Sequence, residues 1–170
     1  GIPIRQTYAA LGRPSKSIDP RTTDSTLRGT VTAYLPGTNQ VSTVTDPADV
    51  VQATYAYDTT GRVKQVTNAL GKSTYCEYYP NGQKKREWGD TTYPVEYVYD
   101  ELGRVKQQKT FRGGTDWTAD TWPTSPGTVD WTYWVYDEPT GLLKEKYDAA
   151  NLDASTGAPI TGAKKVSYTY

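Results

Sequence analysis

One phrase recurs in this chain and limits what it can fold into. Tyr57-Asp58-Thr59-Thr60-Gly61-Arg62-Val63 and Tyr99-Asp100-Glu101-Leu102-Gly103-Arg104-Val105 each end an aromatic-rich segment with an acidic turn and Gly-Arg, and both continue as Val-Lys-Gln. The copies lie 42 residues apart, and Tyr78-Tyr79-Pro80-Asn81-Gly82-Gln83 places a glycine 21 residues from each neighbour. Self-similarity at a fixed period is the signature of a repeat architecture.

Each copy reads as a β-hairpin. Ala53-Thr54-Tyr55-Ala56-Tyr57 alternates large and small residues, as a half-buried strand does. Asp58-Thr59-Thr60-Gly61 has the composition of a type I turn: the aspartate accepts turn amides, and the glycine takes a positive φ without a Cβ penalty. A turn closing on a glycine bulge is a common hairpin connection. Arg62 to Thr67 then returns, and Asn68-Ala69-Leu70-Gly71 reverses the chain again. Further strands are expected at 73–79, 83–88, 95–100 and 104–110, with turn signals about every ten residues. No segment sustains a helical period, so the expected class is all-β, an antiparallel meander of successive hairpins. The abundance of Tyr (15) and Trp (5) over Phe (1) and Met (0) fits a pleated, half-buried surface.

Aligning the turns puts Tyr57, Tyr78, Tyr99 and Tyr136 in equivalent positions, with Tyr170 beginning another copy. Two residues earlier, on the same strand face, stand Tyr55, Cys76, Tyr97, Trp134 and Tyr168. Such rows are expected to stabilise the sheet through cross-strand pairs, each contributing roughly 0.2–1 kcal/mol; ligand stacking is the less favoured alternative. The turn-motif residues are Asp58, Gly61, Arg62, Asn81, Gly82, Asp100, Gly103, Arg104, Asp137 and Gly141. In Asp58–Arg62 and Asp100–Arg104 the two charges flank one tight turn. They are expected to pair across it, or the arginine to lie over a neighbouring tyrosine. Either contact fixes register, since a one-residue slip turns every tyrosine to the wrong face.

The pattern loosens toward both ends. Residues 1–29 read as a degenerate repeat, Tyr8-Ala9-Ala10-Leu11-Gly12-Arg13, followed by a polar loop over 19–29. Residues 30–111 hold the regular repeats, with Pro36-Gly37-Thr38-Asn39 as an early turn. Residues 112–130 form a Trp/Gly/Pro-rich insertion loop, and 131–170 a variant repeat, a second loop and a truncated next repeat, with one helical turn expected at 148–153. Long loops are often functional. Trp117 and Trp122, with Trp131 nearby, are candidates for stacking on sugar rings or docking a partner, although covering a sheet face or edge is the favoured reading.

The phrase Y-D-x-x-G-R-V, followed by V-T-N and the next tyrosine-rich strand, resembles the YD repeats of the Rhs proteins, also found in the C-subunits of bacterial toxin complexes and in teneurins. The resemblance is specific over 55–110 and looser over 30–147 and 166–170. It implies a segment of a spiralling β-sheet that builds a hollow shell or a surface stalk. It also implies a bacterial, secreted or cell-surface location, with further repeats of the parent chain and an encapsulated toxin domain as partners. The family's self-cleavage signature does not follow Tyr136 to Leu142, so no self-cleavage residues are assigned.

Little in the composition suggests chemistry. There is no histidine, which removes the usual general base and every Ser/Cys–His nucleophilic arrangement. The lone Cys76 forms no zinc site, leaves the redox compartment open, and reads as a small buried apolar residue. The aspartates recur at every turn, whereas an active site is singular. Nineteen basic residues balance nineteen acidic ones, so no electrostatic footprint for nucleic acid exists. No apolar run is long enough to span a membrane as a helix, and no signal peptide is expected within residues 1–170. The expectation is a non-catalytic structural segment without cofactor or metal. The alternative is a module that binds a cell-surface glycan or a partner through the tryptophan insertion. An exposed terminal edge strand, liable to self-association, is also expected.

Overall fold

The computed structural model describes residues 4–18 and 28–170. Thirteen strands follow one another in a single open sheet, each beside its neighbour in sequence. They are β1 (Arg5–Tyr8), β2 (Pro14–Ile18), β3 (Thr30–Tyr34), β4 (Val41–Thr45), β5 (Val51–Tyr57), β6 (Val63–Asn68) and β7 (Ser73–Tyr78). They continue as β8 (Lys84–Gly89), β9 (Val95–Tyr99), β10 (Val105–Arg112), β11 (Thr128–Tyr136), β12 (Leu143–Tyr147) and β13 (Val166–Ser167). The fold is the all-β antiparallel meander that the turn spacing predicts. The chain divides into two compact units, 1–74 and 75–170.

The hairpins are built as the turn chemistry dictates. In β1–β2, β3–β4, β5–β6, β9–β10 and β11–β12 the pairing register slips by one residue beside the tyrosine that precedes the turn. The slip leaves one extra residue on the returning strand, Ser15, Ser42, Lys64, Lys106 or Lys144, a β-bulge one pair beyond the turn. The regular turns themselves close through a left-handed glycine, Gly61 and Gly103 having φ of 86° and 79°.

Differences from the sequence reading are local. β10 runs on to Arg112, because Arg112 pairs in register with Thr128 and its guanidinium lies 2.5 Å from Asp130. The insertion loop therefore occupies 113–127. The helical turn expected at 148–153 is a single 3-10 turn at Ala149–Asn151. The polar loop expected over 19–29 lies, for residues 19–27, outside the described residues.

A single sheet has two faces to cover, and the second unit covers one with its own loops. Register places Arg86, Glu96, Lys109 and Trp131 directly opposite one another on β8, β9, β10 and β11, hence on one face. Two residues along the same strands stand Trp88 and Phe111, both buried. Tyr75, Tyr147 and Leu152 complete the buried apolar set of this unit. Glu96 is also buried, and it accepts from Arg86 at 2.5 Å and from Lys109. Burial pushes its carboxyl up, but the two cations outweigh that and hold it below the ordinary glutamate range.

Candidate functional site

Two kinds of place concentrate specific geometry: the repeated turns within each unit, and the tryptophan cluster. In the turn from Asp58 to Arg62, the Asp58 backbone donates to the Arg62 carbonyl at 2.8 Å, and Gly61 donates back to Asp58 at 3.0 Å. One carboxylate oxygen of Asp58 accepts from the Thr60 amide, the Thr60 hydroxyl and the Arg62 amide; the other takes the Arg62 guanidinium at 2.7 Å. The turn from Asp100 to Arg104 repeats this, with Leu102 and Arg104 amides on one oxygen and the guanidinium at 2.7 Å on the other. Partial desolvation pushes both carboxyls up, yet the amides and the guanidinium outweigh it and hold Asp58 and Asp100 below the usual aspartate range. Each aspartate is thus saturated by its own turn, which explains why it recurs.

The variant turns keep the geometry with other groups. Tyr79 stands at the aspartate position, with Gly82 donating to its carbonyl at 2.9 Å, and Asn81 two residues on supplies the side-chain oxygen that accepts the Gln83 amide at 3.1 Å. In the longer turn, Asp137 accepts the Thr140 amide and hydroxyl, which lower its pKa, while Gly141 donates to the Asp137 carbonyl at 2.8 Å.

Successive turns hold one another by a reciprocal clasp. Tyr34, Tyr57, Tyr99 and Tyr136, each before a turn, donate the hydroxyl back to the first residue of the preceding hairpin's returning strand. Tyr34 reaches the carbonyl of Pro14 at 2.7 Å, Tyr57 that of Val41 at 2.7 Å, Tyr99 that of Lys84 at 2.9 Å and Tyr136 that of Val105 at 2.8 Å. The residue just before that carbonyl reaches forward. Gln40 donates to the Gly61 carbonyl at 3.0 Å and Gln83 to that of Gly103 at 2.8 Å. Arg104 approaches the Gly141 carbonyl at 3.5 Å and lies over the Tyr136 ring, 4.4 Å from its centroid. Arg13 lies over Tyr34 at 4.6 Å. Each hydroxyl–carbonyl bond contributes about 1 kcal/mol.

This changes the role of the tyrosine rows. Copies of the tyrosine sit on alternate strands, with a return strand between, so neighbours such as Tyr99 and Tyr136 are separated by roughly two strand spacings, about 9–10 Å. That exceeds the reach of ring pairing, and the link runs through the hydroxyl instead. The ring contacts of Tyr99 are with Tyr97 on its own strand at 6.5 Å and with Tyr79 at 6.0 Å. An arginine over a neighbouring tyrosine is the contact the sequence suggests, and Arg104 and Arg13 make it. The glycine carbonyl as a target, and glutamine as its donor, are not legible there, because the bonds join residues 20 to 37 apart.

The insertion loop folds onto the covered face. Trp122 meets Trp88, Phe111 and Trp117 edge-on, with centroids 5.3, 5.2 and 5.1 Å apart. Arg86 lies 4.6 Å over the Trp122 ring. The loop backbone is tied down by the sheet: Trp88 donates to the Ala119 carbonyl at 2.9 Å and Tyr75 to that of Thr118 at 3.3 Å. Trp117 and Trp122 are therefore brought together, half-buried, against each other and Phe111, with Arg86 over the face of Trp122. Trp131 stands apart on β11, with Lys109 at 4.7 Å over its ring and Gly157 packed against it. Cys76 is half-buried, and burial is the main cause that pushes its thiol above its ordinary range, away from a reactive thiolate. Among the described residues, no group of three or more acidic or cysteine side chains is arranged to hold a metal.

No protein family and no curated protein matches this chain in sequence. Among solved structures it is similar to the crystal structure of TcdB2-TccC3 without its hypervariable C-terminal region. The TM-score is 0.50 at 16% identity, over 96% of this chain and 11% of that one. The likeness is one of fold. The Tc holotoxin pore of Photorhabdus luminescens, carrying a TccC3 mutation, aligns with a TM-score of 0.41 at 13% identity, over 92% of this chain and 10% of that one. The chain spans about a tenth of the length of these toxin components.

Proposed function

We propose that this chain is a non-catalytic structural segment of a bacterial YD/Rhs-repeat β-shell or surface stalk, serving encapsulation or scaffolding through its shape. The observation that carries the reading is the reciprocal clasp. It takes up the recurring chemistry of the repeat: Tyr, Gly and the Gln or Arg after the turn join one hairpin to the next, while Asp is satisfied within its own turn. The sequence resemblance to the C-subunits of bacterial toxin complexes and the fold shared with TcdB2-TccC3 point the same way. On this reading the partners are further repeats of the parent chain and an enclosed toxin domain, and the location is secreted or at the cell surface. The turn residues Asp58, Gly61, Arg62, Asn81, Gly82, Asp100, Gly103, Arg104, Asp137 and Gly141 are scaffold positions.

The competing reading is a glycan- or partner-binding module that uses Trp117, Trp122 and Trp131. The packing of Trp117 and Trp122 against the sheet favours the scaffold. A glycan-array screen of the chain decides between them. The scaffold reading expects no signal that depends on these rings. Binding lost in both Trp117→Ala and Trp122→Ala variants that retain the native circular-dichroism spectrum would overturn it.

A further inference from the structure

We propose that the residue just before each returning strand specifies the seating of the following turn, and that a separate latch, from β10, seats the loop after β12. The proposal deepens the scaffold reading and rests on it. Before Leu142, the position is filled by long donors. Arg13, Gln40, Gln83 and Arg104 each reach the next turn, either at its glycine carbonyl or at the ring of its tyrosine. Their heads are cationic or amide N–H groups, which suit an outward-facing carbonyl and a ring face alike.

Leu142 breaks this series. Its turn receives Arg104, but a leucine has no donor to send forward, and Leu142 is 44% exposed. The chain beyond it departs from the earlier hairpins. After β12 it makes the 3-10 turn at Ala149–Asn151 and a long excursion before β13, which pairs with β12 through only Glu145↔Ser167 and Lys146↔Val166.

The excursion is fastened by different means. Gln107 on β10 donates to the carbonyls of Thr156 and Gly157, both at 3.3 Å. Gly157 is buried against Trp131 so closely that a Cβ there would lie 2.2 Å from the indole. Asp153 caps the tip by accepting from Ser155 and Thr156, and Leu152 is buried and bridges to Pro159. The latch therefore reaches back over β11 to β10 on the covered face, whereas the clasp acts at the turn edge.

Hydrogen exchange read by mass spectrometry on the whole chain tests both halves. Gln83→Leu is expected to speed exchange of the Gly103 and Arg104 amides about fivefold, the equivalent of one ordinary hydrogen bond, while the turn at 58–62 stays as in the wild type. Gln83→Arg is expected to restore protection, since Arg104 performs the same task one turn later. Gln107→Ala is expected to speed exchange over 153–160 and leave 100–104 unchanged. Wild-type exchange at Gly103 in Gln83→Leu, or over 153–160 in Gln107→Ala, would overturn the proposal. A uniform rise along the chain would overturn it as well, because a specific clasp opens locally. These readouts concern seating within the chain, so they stand or fall separately from whether the parent forms a shell or stalk.

Discussion

Replacing Trp122 by alanine tests whether the insertion loop is a structural cover. The ring makes three edge-on aromatic contacts and lies under Arg86. Aromatic pairs contribute about 0.5–1.5 kcal/mol each beyond area, and a partly exposed cation–π contact about 0.5–1 kcal/mol. The contacts share one ring and do not add in full. Complete truncation of a core tryptophan costs about 3–5 kcal/mol, and Trp122 is half-buried. The expected loss is therefore about 2–3 kcal/mol. Urea denaturation followed by far-ultraviolet circular dichroism avoids the change in tryptophan fluorescence. With a slope of about 1–3 kcal/mol per molar, the midpoint should fall by roughly 1–2 M. Limited proteolysis should in parallel find new cleavage within 113–127. A loss below about 0.5 kcal/mol, the range of ordinary surface changes, with the loop still resistant, would refute the covering role.

Two further outcomes follow from the same geometry. Gly157→Ala should lower the melting temperature, because the new Cβ meets the Trp131 ring at 2.2 Å and φ is +65°; overpacking of this kind costs about 1–3 kcal/mol, and an unchanged melting temperature would contradict the packing. Acid should weaken the protein through carboxylates held below their unfolded pKa. Asp58, Asp100, Asp137 and Glu96 are all lowered, and Asp153 falls to about 2, held there chiefly by the hydroxyls and amides of Ser155 and Thr156. Their stabilisation is complete above the unfolded carboxylate values near pH ~4 and is lost as pH falls through the folded values. The urea midpoint should thus be flat from about pH 7 to 5 and drop toward about pH 2.5; a midpoint independent of pH below 4 would count against the saturated turns.

Much of the fold was legible because its code is local. Asp58 and Gly61 determine a turn within five residues, and the alternation of Tyr55 and Tyr57 determines a strand, so the hairpins follow from short windows. The Asp–Arg pairing across a turn was legible for the same reason. The clasp was less so. Tyr99 and Lys84 are 15 residues apart and Tyr136 and Val105 are 31 apart, and a backbone carbonyl leaves no mark in a sequence as a hydroxyl's partner. The tryptophan insertion declared itself by composition, but which rings would meet was not readable. Trp131 is near Trp122 in the sequence, yet its strand position turns it toward Gly157. Nor did the periodicity show that Glu96 would be buried between Arg86 and Lys109, since that depends on the register of three strands.

The central claim is that the repeated phrase builds a wall by joining hairpin to hairpin. Cryo-electron microscopy of the full-length parent protein tests it most directly. The account predicts that residues 30–147 appear as consecutive antiparallel strands in the wall of a hollow shell or an elongated stalk, with the turns aligned along one edge. A compact globular enzyme in which these strands close around a substrate-filled pocket would contradict it.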